Sequence, residues 1–215
     1  MEEFEKERYR KLLPGILESL KKKKYDAYFF EIYKEARSFI LSQIDKNETV
    51  GIGGSLTLRE NLNLSKLLKE RGNKVYDHVD AGKDNTKRLK IKRIQSHADV
   101  FLSSINAITL DGILVNLDGG GNRVSGLCSG PKKVFVVAGT NKIVDNIEMA
   151  INRTRYYCAP INAGRLRRKV PCATTGVCSD CDSPERICAA LLILLRRPKD
   201  IDLFTIILVN EKMGI

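Results

Sequence analysis

The chain has 215 residues, and its 37 Lys and Arg against 26 Asp and Glu leave a formal net charge of +11. This length supports one sizeable core, and no proline-rich, serine-rich or low-complexity linker divides it, so we expect a single domain over residues 1–215. The longest apolar run, residues 188–195, is too short to span a bilayer, and the charged first residues are unlike an export signal. We therefore expect a cytoplasmic protein with no membrane partner.

Strand-length and helix-length segments alternate along the chain. Apolar residues at helical spacing predict a first helix over residues 2–22, which Pro14 should bend or restart. The next predicted elements, alternately strand and helix, cover residues 25–30, 31–44, 49–53, 55–71, 74–78 and 86–98. A strand over 99–104, a hairpin, a strand over 133–138, a helix over 144–157 and two strands at 187–195 and 204–209 complete the chain, the last two at interior sheet positions. This order predicts an α/β fold with an open, mainly parallel sheet flanked by helices.

The excess of positive charge favours anionic partners. Its distribution argues against nucleic acid, because residues 21–24 close one helix and the cations of residues 87–93 recur on another. The tighter cluster at residues 165–169 lacks aromatic side chains that could stack on bases. A small phosphate or carboxylate is the expected ligand.

The first glycine-rich segment, residues 51–57, joins a predicted strand to a predicted helix, a geometry suited to an anion. Leu56 stands where a dinucleotide-binding turn needs its third glycine, although Asp77 could imitate a ribose-binding acid and keeps NAD as an alternative. An ordinary serine-capped helix explains the segment equally well. The groups expected to meet an anion belong to Gly53, Gly54, Ser55 and Thr57.

The second glycine-rich segment follows a predicted tight hairpin at Asp111 and Gly112. Its glycines would let the backbone approach a ligand closely, and an amide and an arginine enter the following helix. A plain glycine-rich connection is the alternative. The predicted binding residues are Gly119, Gly120, Gly121, Asn122 and Arg123.

Polar residues also follow two other predicted strands, at the carboxyl edge where open α/β sheets bind ligands. They are Asn106, Gly139, Asn141 and Lys142. Lys142 could neutralise a carboxylate or phosphate, or could simply be exposed. A serine hydrolase is not indicated, because Ser55 lacks a nucleophile-elbow pattern and neither His78 nor His97 has a motif around it.

Four of the six cysteines fall within residues 172–188. In a chain without an export signal, this density favours metal, iron–sulfur or redox chemistry over structural disulfides. Only the pair Cys178 and Cys181 has a familiar chelating spacing, so reduced, partly buried thiols are the alternative. The predicted ligands of zinc or an iron–sulfur cluster are Cys172, Cys178, Cys181 and Cys188, whereas Cys128 and Cys158 are expected in the core.

Several motifs in a fixed order make the chain resemble the lactate-utilisation (LUD) domain family over nearly its whole length. They occupy residues 53–60, 106–109, 111–112, 118–124, 130–134, 138–142 and 172–188. The resemblance implies a fold like that of ribose-phosphate isomerase and CoA transferases. It also implies an association with the oxidation of lactate to pyruvate alongside separate iron–sulfur proteins.

Three functions are compatible with these observations. The first is a ligand-binding or accessory subunit for oxidation of lactate or a related organic acid, recognising a small anion at the glycine loops. The second is a free-standing isomerase or acyl/CoA-transferase-type enzyme, for which analogy with related folds suggests a catalytic carboxylate from Glu60, Asp111 or Asp118. The third is a metal- or cluster-bearing redox module that interacts with iron–sulfur proteins.

Overall fold

The computed structural model describes residues 2–215 and contains a six-stranded parallel sheet. The strands are ordered β1-β10-β7-β4-β2-β3 across the sheet. Their bounds are β1 Asp26–Phe30, β2 Val50–Ile52, β3 Val75–Asp77, β4 Val100–Ser103, β7 Lys133–Gly139 and β10 Leu203–Val209. The predicted open parallel α/β fold is confirmed.

A second sheet of four short strands lies beside the first, in the order β8-β5-β6-β9. The strands are β5 Ala107–Thr109, β6 Leu114–Asp118, β8 Ile143–Val144 and β9 Ala190–Leu194. β5 and β6 form an antiparallel hairpin, and Gly112 occupies its turn at φ 83°, which glycine adopts without steric cost. The hairpin predicted at Asp111 and Gly112 is therefore present.

Helices cover both faces of the main sheet. Their bounds are α1 Glu2–Lys22, α2 Tyr33–Ser42, α3 Leu64–Glu70, α4 Asn85–Gln95, α5 Asn122–Cys128, α6 Ile147–Asn152, α7 Ala159–Arg165 and α8 Pro171–Thr175. Short 3₁₀ turns occupy His78–Ala81 and Thr140–Lys142. No helix among the described residues is both long enough and apolar enough to cross a membrane.

Strand periodicity divides the core into two apolar layers. In β10, Phe204, Ile206 and Leu208 pack with α1 on one face, while Ile207 and Val209 pack with α2 and α3 on the other. Successive strand side chains point to opposite faces, so a central strand covered on both sides is largely apolar on both. This explains the interior position predicted for residues 204–209.

α1 runs through Pro14 as one helix, so it does not restart there. Three details of the predicted elements are wrong. The helix expected over residues 55–71 is divided at Asn63, which has φ 50° and lets the neighbouring Leu62 and Leu64 both be fully buried. The helix expected over residues 144–157 begins three residues later and continues to Arg165. β9 is an edge strand, not an interior one, and its Leu191 is 45% exposed.

Candidate functional site

A cavity of about 50 Å³ lies at the carboxyl edge of the main sheet. Gly54 to Thr57 follow β2, Ser104 to Asn106 follow β4, and Lys142 follows β7. Because neighbouring parallel strands end at the same edge, three loops far apart in sequence meet there. The lining residues are Gly54, Ser55, Leu56, Thr57, Ser104, Ile105, Asn106, Arg123, Lys142, Cys158, Asn162, Arg165, Gly214 and Ile215.

Two π-helical turns border this cavity, at Thr57–Asn61 and Arg153–Cys158. Each contributes a lining side chain, Thr57 from the first turn and Cys158 from the second. π-Helical turns are rare and occur frequently at functional sites. Ser55 lies two residues before the first turn, and its hydroxyl accepts a long hydrogen bond of 3.4 Å from the backbone N–H of Leu58.

Lys142 is the most unusual side chain of the cavity. The residue is only 3% exposed, and its Nζ donates to Ser104 Oγ at 2.8 Å and to Thr57 Oγ1 at 3.5 Å. No carboxylate of the described chain lies within ion-pair distance of it. Burial, with the nearby positive charge of Arg153, lowers the pKa of Lys142 to about 7.

Arg123 supplies a second cation to the cavity from the start of α5. Its guanidinium donates to the carbonyl of Leu117 at 2.5 Å, and Nε lies 4.0 Å from Asp118 Oδ2. The same Oδ2 accepts a hydrogen bond of 2.7 Å from the backbone N–H of Arg123. Burial lowers the pKa of Arg123, and Asp118 opposes that shift.

Arg153 forms hydrogen bonds to several residues around the cavity wall. Its guanidinium donates to the carbonyls of Asn106 at 2.8 Å and Asn141 at 3.0 Å, and also to the sulfur of Cys158. Burial raises the pKa of Cys158, although Arg153 and Lys142 act in the opposite direction. Cys158 is therefore held as a neutral thiol in a wall rich in positive charge.

The structure brings together six of the thirteen predicted ligand-binding residues in the cavity lining: Gly54, Ser55, Thr57, Asn106, Arg123 and Lys142. Gly53 lies behind the wall, where a Cβ would stand 3.2 Å from Arg123 Cγ. The side chain of Asn141 accepts a hydrogen bond of 3.0 Å from the backbone N–H of Met213, and Gly139 lies against the same backbone. Both residues therefore contact the last residues of the chain and do not line the cavity. Gly119, Gly120 and Gly121 form the connection to α5 and Asn122 is the first residue of that helix, all outside the lining.

The three candidate catalytic carboxylates are separated from one another. Asp111 is at the hairpin turn, where it accepts from Thr109 Oγ1 at 2.5 Å and lies 3.7 Å from Lys23 Nζ. Glu60 is exposed on the first π turn, where its charge acts on Arg165. Asp118 is buried against Arg123. The structure thus assembles cations at the cavity, and none of these three acids is among its lining residues.

Asp77 does not present a free carboxylate for a ribose. It is buried and receives Arg59 Nη2 at 2.7 Å, and it also caps the following 3₁₀ turn through the N–H of Val79 at 3.2 Å. Desolvation opposes ionisation, but Arg59 and these hydrogen bonds lower the pKa of Asp77. The carboxylate of Asp77, on which the NAD alternative depended, is therefore already bound by Arg59 and Val79.

Five polar or reactive lining residues were not predicted: Ser104, Cys158, Asn162, Arg165 and the backbone of Gly214. Ser104 directly follows the β4 segment, so the strand-end argument applied to Asn106 would have found it. Cys158 and Asn162 carry no such signal, because their approach depends on the π turn and α7 folding back over the sheet edge.

The four cysteines of residues 172–188 are near one another and are not joined in disulfides. Burial raises the pKa of Cys172, and the charges of Cys181, Cys178 and Cys188 raise it further. Within residues 2–215, no three or more His, Cys, Asp or Glu side chains are arranged to hold a metal ion. The thiols would have to move to coordinate one, so zinc or an iron–sulfur cluster stays a prediction.

We expect protein purified without oxygen or chelator to retain zinc or iron at these cysteines, because four thiolates can supply a complete ligand shell. The double variant Cys178→Ser and Cys181→Ser should lose that metal, whereas the matched Cys128→Ser should retain it. Elemental analysis and visible absorption measure both outcomes. Equal metal content in the two variants, or none in the parent protein, would leave the four cysteines as reduced thiols.

The fold and the cavity together define an open parallel α/β protein with a small, cation-lined cavity at its carboxyl edge. The chain belongs to the LUD domain family, whose model matches residues 13–209. A crystal structure described as a DUF162 family protein from Deinococcus radiodurans is similar at a TM-score of 0.48 and 10% sequence identity, covering 93% of this chain and 97% of that one. No curated protein matches the sequence.

Proposed function

We propose that this LUD-domain protein binds a small anionic metabolite, a carboxylate or a phosphate, in the cavity at the carboxyl edge of the sheet. The observation that carries the proposal is the pairing of Lys142, 3% exposed, with Arg123, whose side chain is 14% exposed, on one cavity wall. Burying a cation without a partner is costly. A bound anion would supply the missing partner.

The charge balance around the cavity supports an anion over a neutral ligand. Asp118 is the carboxylate closest to Arg123, at 4.0 Å, and Lys142 has only hydroxyl partners. Arg153 and Arg165 add further positive charge at the wall and the rim. The uncompensated charge therefore concentrates at Lys142, where an anionic group would be most stabilised.

The size of the cavity favours a ligand of few atoms. Its volume of about 50 Å³ is several times the roughly 10–15 Å³ that one water molecule needs by the same measure. A lactate-sized anion matches that scale, whereas most of a dinucleotide would remain outside. We infer a binding or accessory role in oxidation of lactate or a related organic acid, with iron–sulfur redox proteins as the partners.

Lactate, pyruvate or inorganic phosphate should raise the melting temperature of the protein, whereas the neutral analogue lactamide should not. A ligand at a hundred times its Kd stabilises the native state by about 2.7 kcal/mol, which corresponds to several degrees in a chain of this size. Differential scanning fluorimetry measures the shift, and titration calorimetry gives the affinity. An equal response to lactamide would show that the negative charge is not recognised.

Arg123→Met should reduce the anion affinity at least about tenfold, since a buried charge-assisted contact is worth roughly 1.5–3 kcal/mol. Arg93, which is exposed on α4, provides the matched control, and Arg93→Met should bind like the parent. Anion binding to each variant is read as the ligand-induced rise above that variant's own ligand-free melting temperature. This reference is needed because removing Arg123 also leaves Asp118 without its ion-pair partner. Equal affinity in the two variants would place the anion elsewhere.

A further inference from the structure

We propose that Lys142 forms an imine with the carbonyl carbon of a small 2-oxo carboxylate bound in this cavity. The inference rests on the proposed anion site and adds to it a ligand class and a covalent step. It follows from the position of Lys142 Nζ inside the cavity, from its two hydroxyl partners and from Arg123 on the same wall.

The first requirement of the step is an amine that is neutral at physiological pH. An ordinary exposed lysine, with a pKa near about 10.4, is unprotonated in roughly one molecule in 2,500 at pH 7. Burial and Arg153 lower the pKa of Lys142 to about 7, so the free amine is far more populated there than on an exposed lysine. A lysine desolvated in this way is a nucleophile toward carbonyl groups.

The second requirement is that a bound carbonyl carbon be held next to the nitrogen. Arg123 and Lys142 line the same cavity, and the charge of Arg123 acts directly on Lys142. When Arg123 holds a carboxylate, the cavity volume of about 50 Å³ leaves room for only a few more atoms beside Lys142. A carbonyl adjacent to the carboxylate meets this constraint, which selects a small 2-oxo acid.

The third requirement is a route for the proton. The Nζ lone pair forms a bond to the carbonyl carbon, the C=O π electrons move to oxygen, and a proton passes from nitrogen to that oxygen. Ser104 Oγ, 2.8 Å from Nζ, and Thr57 Oγ1 can both donate and accept at this point. Loss of the hydroxyl group as water then leaves the imine, so amine and ketone give imine and one water.

The imine nitrogen then takes up one proton from solvent, and the resulting positive charge lies where the ammonium of Lys142 would have been, next to the carboxylate of the same ligand. No oxidant, reductant or second substrate is consumed in forming it. The carboxylate thus recognises the cationic wall, and the ketone distinguishes a 2-oxo acid from the corresponding 2-hydroxy acid.

Pyruvate with sodium cyanoborohydride tests this inference, because the reagent reduces an imine to a stable secondary amine. We expect peptide mass mapping to show one reduced pyruvate on Lys142, forming at least about tenfold faster at pH 7 than on the exposed Lys90 of α4. Lactate has the carboxylate and lacks the ketone, so it should give no adduct and should slow labelling by pyruvate. This competition uses the unmodified protein and does not depend on a variant that folds.

The outcomes separate the two proposals. A melting-temperature increase with pyruvate but no selective adduct on Lys142 would overturn the imine and leave the anion site standing. Labelling of Lys142 no faster than that of Lys90 would do the same. No response to any anion, together with no adduct, would overturn the proposed function itself. Selective labelling that lactate suppresses would support both.

Discussion

Lys142→Met is expected to stabilise the ligand-free protein at and below neutral pH while abolishing its anion binding. Methionine fills a similar space and carries no charge, so the variant avoids the cost of burying an ammonium group. The cavity hydroxyls of Ser104 and Thr57 lose one hydrogen-bond donor, which costs about 1 kcal/mol. The avoided charge burial should exceed that loss.

The lowered pKa of Lys142 determines at which pH the methionine variant is the more stable. The folded-state pKa of Lys142 is about 7, below the ordinary lysine value, so between pH 7 and about 10 the unfolded chain binds more protons than the folded chain. Lys142 therefore destabilises the parent fully below pH 7, and this cost disappears as the pH rises toward 10. The advantage of the methionine variant should be a few kcal/mol at pH 6, at about 1.4 kcal/mol per unit of pKa shift, and small at pH 10.

Urea unfolding of parent and variant at pH 6 and pH 10 measures the difference directly, and other titrating groups cancel between them. Lys90→Met is the matched control, because Lys90 is exposed and its removal should change stability equally at both pH values. The parent's affinity for lactate should also fall by up to about tenfold per pH unit above pH 7, as the ammonium is lost. A stability difference that is the same at pH 6 and pH 10 would refute the assigned charge state of Lys142.

Gly51→Ala is expected to remove most of the stability of the fold. Gly51 is the buried centre of β2, and an added Cβ would stand 1.9 Å from the backbone carbonyl oxygen of Gln95, at the end of α4. A backbone atom cannot rotate away as a side chain can, so β2 and α4 would have to separate. Overpacking of this kind costs typically 1–3 kcal/mol and here more, because both partners are fixed.

Gly15→Ala provides the opposite control. Gly15 lies inside α1, and an added Cβ would meet no described atom within 4 Å apart from its chain neighbours and the local helix backbone; alanine in a helix interior is favoured over glycine by about 1 kcal/mol. We therefore expect a higher melting temperature for Gly15→Ala and a strongly lowered one, or insoluble protein, for Gly51→Ala. Equal melting temperatures in the two variants would mean that β2 and α4 do not pack as closely as the structure has them.

The strands of the six-stranded sheet could be predicted from the sequence because the signals for a strand are local. β10 is apolar on both faces and β4 follows a clear helix end, so their existence and parallel class could be read from composition and order. The break at Asn63 could not, since it is decided by the burial of Leu62 and Leu64 against residues far away. The interior position predicted for β9 was wrong, because an apolar run does not distinguish a central strand from an exposed edge strand.

Part of the candidate site could also be predicted, because the order of the strands places their following loops at one edge of the sheet. Residues in the loops that follow strands, such as Thr57, Asn106 and Lys142, can be placed at the carboxyl edge from sequence order alone. The burial of Lys142 and the approach of Cys158 depend on tertiary packing, and no local pattern encodes them. Gly119, Gly120 and Gly121 do not line the cavity, and Gly119 leaves room for the chain's own backbone, since a Cβ there would stand 2.8 Å from Ile187 Cα.

That contact joins the cysteine segment to the cavity through a short physical chain. Ile187 rests on Gly119, Ala189 donates to the carbonyl of Asp118 at 3.0 Å, and Asp118 holds Arg123. The backbone that follows the cysteines is therefore in direct contact with the residue that hydrogen-bonds to Arg123. Thermodynamic reciprocity then governs the two sites. If the state of the cysteines changes the affinity for an anion by some factor, the anion must bias the state of the cysteines by that same factor.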